Sequence, residues 1–270
     1  MTSSRTVTPR HWSALMLTTA TLASATGLGA QTADFAQPGL PVILAQAEGG
    51  EGGEGGEGGA RTASDTTYLA SLGFIEGHLR SGMALYAGGH GEMAATHMKH
   101  PGDEIYTSLA PELAARGVPG FADQLAQLAS AVEGGAPVAD AQSAFDAVVV
   151  ALDAAVGDVE AKDQLDALTI LARTAAEEYA IGVHDGVIMN LHEYQDAKGF
   201  LTVVQGRAEA LVTNDNPAIA KGATSVISLL AETDAAFETL TPTADLVPNG
   251  AEILYGIAAR IELAALTAKR

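Results

Sequence analysis

The chain has 270 residues, 33 of them acidic against 14 basic, and no cysteine. That balance repels phosphate backbones and anionic lipid headgroups, which argues against nucleic acid as a partner and leaves cations as the natural small ones. Without cysteine there are no disulfides and no thiolate ligands, so a packed core has to hold the fold, and only imidazole, carboxylate or thioether groups can hold a metal.

Arg5, Arg10 and His11 precede an acid-free apolar run from Trp12 to Ala30, the pattern of a secretory signal. Ala45-Gln46-Ala47 is favoured over Leu28-Gly29-Ala30 as the cleavage site, so residues 1–47 read as a signal peptide and the mature protein as periplasmic. An uncleaved anchor is disfavoured because the run is marginal in length and carries Thr, Ser and Gly; no other segment is long and apolar enough to span a bilayer. Residues 48–64 hold four Glu-Gly-Gly repeats without apolar periodicity, which predicts a flexible, self-repelling tether.

From Asp65 onward, Ala and Leu dominate and apolar residues recur at helical spacing. A first helix is expected from a Ser64 or Asp65 cap to Gly88-Gly89. Shorter ones follow over Glu92–Lys99, ended by Pro101-Gly102, and over Asp103–Arg116, Gly120–Glu133 and Val138–Val156, each ended by glycine. The second half begins with a helix from Val159 to Ile181. Asn190 to Glu193 has capping-box spacing: Asn190 accepts from the third backbone N–H and Glu193 reaches back, opening a helix from Leu191 to Val212. Asn216-Pro217 starts the next, and a break at Val247–Gly250 precedes the last, Ala251 to Lys269. Val148–Leu152 is the one strand-like apolar run, and its Ala-rich flanks favour helix. The fold class is therefore all-α, a helical bundle or two packed helical halves, 65–157 and 158–270.

The stretch GGHGEMAATHMKHPGDEIY, Gly88 to Tyr106, contains three of the seven histidines. On a helix Met93, His97 and His100 share one stripe, and Asp103 and Glu104 follow a Pro-Gly turn that can fold them back onto it. Imidazole suits zinc, copper and iron, and thioether sulfur adds a preference for Cu(I). The plainer explanation is that the Met-Ala-Ala stripe is core and that a His before Pro caps the last carbonyls. His78 and Glu76 lie on the first helix, which the short Gly88-Gly89 connection should make antiparallel to the next. EEYAIGVHDGVIMNLHEYQD adds Glu177, Glu178, His184, Asp185, His192, Glu193 and Asp196. Within it His192 and Asp196 are four apart on one face, whereas a loop explains His184 and a cap explains Glu193. Every histidine beyond the signal falls between His78 and His100 or between His184 and His192, and this clustering favours a metal site drawn from His78, Met93, His97, His100, Glu104, His184, His192 and Asp196.

Other chemistries lack signals. There is no Walker loop, Gly-x-Ser-x-Gly elbow or His-Glu-x-x-His pair, and few aromatics exist to wall an organic cofactor. Haem could be held only non-covalently, with Met83, Met93, Met98 and Met189 near histidines, since Cys-x-x-Cys-His is absent.

YAGGHGEMAATHMKHPGDEIYTSLAPEL and LHEYQDAKGFLTVVQGRAEAL resemble blocks of imelysin-like proteins and of the periplasmic components of ferrous-iron uptake. The resemblance implies an exported helical bundle for iron acquisition, with a metal-binding Gly-x-His-x-x-Glu motif. Gly182-Val183-His184 matches its first half, but Val187 stands where Glu is required, and around His78 the glycine is displaced to Gly77 with Ser81 at the Glu position. The resulting expectation is a periplasmic protein that binds a transition metal ion, iron first and copper next, without an organic cofactor and with an envelope transporter as a candidate partner. The alternatives are a metal-free interaction module, in which the histidines would scatter, and a metallohydrolase with Glu76 or Glu193 as general base.

Overall fold

Local caps set the helix boundaries. The computed structural model describes residues 63–242 and 249–268, without the Asp103 side chain. The expected signal, residues 48–62 of the tether and part of the Val247–Gly250 break lie outside the described residues. Among those described are α1 (Asp65–Ala87), α2 (Gly91–His100), α3 (Thr107–Ala115), α4 (Ala122–Glu133), α5 (Val138–Val156), α6 (Ala161–Gly182), α7 (Leu191–Leu211), α8 (Pro217–Leu230) and α9 (Glu252–Ala268). The protein is all-α. Ser64 Oγ accepts from the Thr67 N–H at 3.2 Å to start α1, and Asn216 accepts from the Ala218 N–H at 3.0 Å to start α8 with Pro217 in first position. Val148–Leu152 is helical within α5.

Three local expectations are corrected. Pro101 ends α2 at His100 as expected but does not break the rod: a π-helical turn over Pro101–Tyr106, where the start of the next α-helix was expected, joins α2 to α3. Proline has no N–H to donate and its ring crowds the carbonyl four residues back; the wider turn accommodates both without breaking the rod. At α7, Asn190 accepts from the second N–H, that of His192 at 3.2 Å, and Glu193 contacts the Asn190 side-chain amide at 3.4 Å instead of its backbone. The segment between α6 and α7 is a small antiparallel hairpin, β1 (Val183–His184) with β2 (Val187–Ile188). Asp185 and Gly186 both have positive φ, 51° and 75°, the turn that matches strand twist.

α6 and α7 pack against each other at the centre of the core, with α8 and α9 closing that side. α1 packs on α6 and α7 and also on α2 and α5, so it belongs to both expected halves. Enclosed in this way, α1 buries polar residues that then require partners. Glu76 accepts from Arg80 Nε at 2.9 Å and from Arg207 Nη2 at 2.5 Å, and Ser81 Oγ donates to the Gln195 carbonyl at 2.7 Å. The α1–α7 crossing is close because glycines meet there. A Cβ on Gly199 would lie 2.5 Å from Ser81 Oγ and 2.9 Å from the Gly77 carbonyl carbon, so only hydrogen fits. This contact places His78, next to Gly77, beside Asp196, one turn before Gly199.

Candidate metal centre

Three helices deliver the site. α1 contributes His78, the end of α2 contributes His97 and His100, and the first turns of α7 contribute His192, Gln195 and Asp196. The antiparallel α1–α2 register sets His97 against Gly82 and brings His100 to His78, ring centroids 4.8 Å apart. Asp196, only 1 % exposed, is the hub. Its Oδ1 lies 2.7 Å from His78 Nδ1 and 2.9 Å from His97 Nδ1, and its Oδ2 lies 3.0 Å from His192 Nδ1. His192 stacks on His97 with centroids 4.2 Å apart and planes 2° from parallel.

The electrostatics follow from that crowding. Burial pushes the Asp196 carboxyl up, but the charge of His78 and the hydrogen bonds of the surrounding imidazoles outweigh it and hold it well below the usual range. Burial alone would lower His192; the carboxylates of Asp196 and Glu193 instead raise it to about 10. Burial and the charge of His78 lower His100. Glu178, buried on α6, is pushed up to about 8 by desolvation and by its neighbour Glu193, whose own carboxyl is lowered chiefly by its bond to His192.

These shifts determine how the metal-free protein responds to pH. Between 4.5 and about 8 the folded chain keeps a proton on Glu178 that the unfolded chain releases, and between 6.5 and about 10 the same holds for His192. Wherever the folded chain binds more protons, stability falls as pH rises. Asp196 acts oppositely, and its contribution is lost as pH drops below 3.8. His100, held below 6.5, offsets Glu178 in weak acid, so the unfolding midpoint of the metal-free protein is expected to decline from about pH 6.5 toward about pH 9. Glu178→Gln should flatten the lower part of that decline; an unchanged slope in this variant would show that Glu178 does not hold the proton.

The structure brings together His78, His97, His192 and Asp196, with His100 beside them at 6.2 Å from His192 and paired to Glu104 at 3.3 Å. Met93 lies behind the cluster, its sulfur 3.7 Å from the Gln195 amide nitrogen. His184 is apart. Strand alternation turns Val183 into the core and leaves the His184 side chain 74 % exposed, paired with Asp185. Gln195 is absent from the sequence-derived candidates, and Glu178, named in the second histidine segment, is absent from the ligand set drawn from it. The available signal was their position: both fall on the apolar stripe of their helix, where a polar residue has to have a reason to be buried. The three-residue groups whose ligand atoms lie within 4.8 Å of one another are His78 with His97 and Asp196, and His192 with Glu193 and Asp196. Among the described residues, five buried side-chain polar atoms lack a hydrogen bond, and three of them, His78 Nε2, His192 Nε2 and Asp196 Oδ2, belong to this cluster. Interiors rarely tolerate such atoms, and a cation beside Asp196 would engage its Oδ2.

No curated protein and no solved structure matches the chain. A family model does match residues 155–265, that of the iron permease-associated 4-helix bundle domain, and this range contains α6 to α8 and α9 as far as Ala265. His192, Glu193, Asp196 and Glu178 lie inside it, and His78, His97 and His100 lie outside. Over that stretch, which is less than half of its length, the chain is similar to the iron permease-associated bundle.

Proposed function

We propose that this is an exported helical protein that binds a transition metal ion, iron before copper, on the carboxylate of Asp196, and that the ion is cargo for uptake or handling. One observation carries the reading. The Gln195 amide nitrogen donates to the Leu240 carbonyl at 2.8 Å, so Gln195 Oε1 faces His97 Nε2 at 2.9 Å and accepts its proton. A neutral His97 then has its lone pair on Nδ1, aimed at Asp196 Oδ1 from 2.9 Å. Lone pair against carboxylate is repulsive unless a cation lies between them. A proton can serve, but a metal ion also uses His78 Nδ1, 2.7 Å from the same oxygen. The hydrogen bond from the far nitrogen of His97 is the outer contact that orients metal-bound imidazoles.

Iron is favoured by the name of the matched family and by nitrogen and oxygen donors without thiolate. The same name supports a permease as the partner that would receive the ion, and the acidic, signal-led sequence supports the periplasm. His78, His97, His100 and His192 converge, where a metal-free interaction module would scatter them. Glu76 is committed to Arg80 and Arg207 and so is poorly placed to act as the general base of a hydrolase.

The untagged protein, loaded in turn with Fe(II) under anaerobic conditions, copper and zinc and then desalted, is expected to retain iron stoichiometrically by mass spectrometry. His97→Ala with His100→Ala should abolish retention, and deletion of residues 48–59 should not. Retention of none of the three metals rejects the reading, and loss of binding with the tether would move the site to its carboxylates.

A further inference from the structure

We propose that the bundle holds a second cation beside the first, at an oxygen-rich position made by His192, Glu193, Glu178 and the second oxygen of Asp196, so that Asp196 bridges two metal ions. The inference rests on the reading above and extends it from one ion to two.

The two oxygens of Asp196 serve different neighbours. Oδ1 is taken by His78 Nδ1 and His97 Nδ1, at 2.7 and 2.9 Å. Oδ2 faces the other way, toward His192, whose Nδ1 stands 3.0 Å from it and 3.9 Å from Glu193 Oε2. The alignment with His192 gives Oδ2 an ion pair but no hydrogen bond although Asp196 is only 1 % exposed, so a buried carboxylate oxygen with unused acceptor capacity is aimed into this group. Ligand atoms of His192, Glu193 and Asp196 all lie within 4.8 Å of one another, separately from the set of His78, His97 and Asp196.

Glu178 completes the second position from the facing helix. It is 3 % exposed and hydrogen-bonded to Glu193, and the ion pairs among the described residues give neither carboxyl a lysine or arginine. The ionised carboxylates of Asp196 and Glu193 meet one imidazole here, and Glu178 keeps the proton that a cation would displace, so the group seeks positive charge. The stack of His192 on His97 keeps the two positions adjacent. One position is rich in nitrogen and the other in oxygen, so the second favours a harder ion: iron or manganese over Cu(I).

Cobalt(II) titration followed by absorption, with iron(II) stoichiometry by mass spectrometry as a parallel measure, separates one ion from two. The wild-type protein is expected to take two equivalents. Glu178→Gln with Glu193→Gln, which keeps volume and lies away from His78 and His97, should keep the first equivalent and weaken the second at least about a hundredfold. A single wild-type equivalent overturns the bridged site while leaving the proposed function intact, and it does so even if the variant fails to fold. Two equivalents that persist unchanged in a folded variant overturn the assignment of these carboxylates. No equivalents at all would end both proposals.

Discussion

Asp196→Asn is expected to lower metal affinity by at least about a hundredfold, the largest loss among single changes at the site, while leaving the helical content intact. The amide has nearly the shape of the carboxylate but no charge, and its nitrogen arm is a donor that cannot ligate a cation. Three Nδ1 atoms, those of His78, His97 and His192, lie within 3.0 Å of this one carboxylate. Losing a buried counter-ion usually costs about 3–5 kcal/mol because the partner charge is stranded. Imidazole can shed its proton, so the destabilisation of the metal-free protein should be large in weak acid and small in mild alkali. His192, no longer held up by Asp196, should titrate well below its wild-type value of about 10, which histidine NMR would show directly. Metal affinity within a few fold of wild type would remove Asp196 from the centre of the site.

Gly199→Ala is expected to destabilise the fold by about 3 kcal/mol and to weaken metal binding as well, although Gly199 touches no ligand. The added methyl would meet the Gly77 backbone and Ser81 Oγ, and backbone has no rotamer into which it can retreat. α1 and α7 would have to separate, and His78 moves with α1, away from Asp196 on α7. Gly206→Ala on the same helix is the control. Nothing lies within 4 Å of its new carbon, so it should be neutral or stabilise by about 0.5–1 kcal/mol through helix propensity alone. Equal midpoints by thermal unfolding for the two variants would show that the crossing does not depend on the glycine contact.

The helices were legible because their causes are local. Ser64 and Asn216 cap as their spacing indicates, Gly89 and Gly157 stop helices at positive φ, and apolar periodicity finds each buried face. Pro101 misled for a reason of the same kind. Proline forbids the α hydrogen-bond pattern, but a single wider turn satisfies the chain, and the packing of the π-turn on α1 and α4 favours continuation over a stop. The Asp185-Gly186 pair carried its hairpin signal in plain view.

The candidate site was half legible. Spacing alone put His192 and Asp196 on one face, and the clustering of histidines into two segments pointed to a centre. The same clustering drew in His184, which strand alternation turns outward, and Met93, which supports Gln195 from behind. Gln195 and Glu178 sit on the apolar stripes of their helices, but only burial shows that these polar side chains turn into the cluster.

What the sequence by itself determined is the all-α class, most helix boundaries, the absence of thiolate chemistry and the list of candidate ligands, because each follows from residue chemistry or from contacts within a few positions. Tertiary structure alone decided which of those residues meet. His78 reaches Asp196 across 118 positions because two glycines let α1 and α7 touch, and His97 presents Nδ1 because a glutamine 98 positions away is itself fixed by the Leu240 carbonyl. Such convergence depends on how helices cross, and helix crossing is set by side-chain packing between distant segments, which local periodicity does not encode.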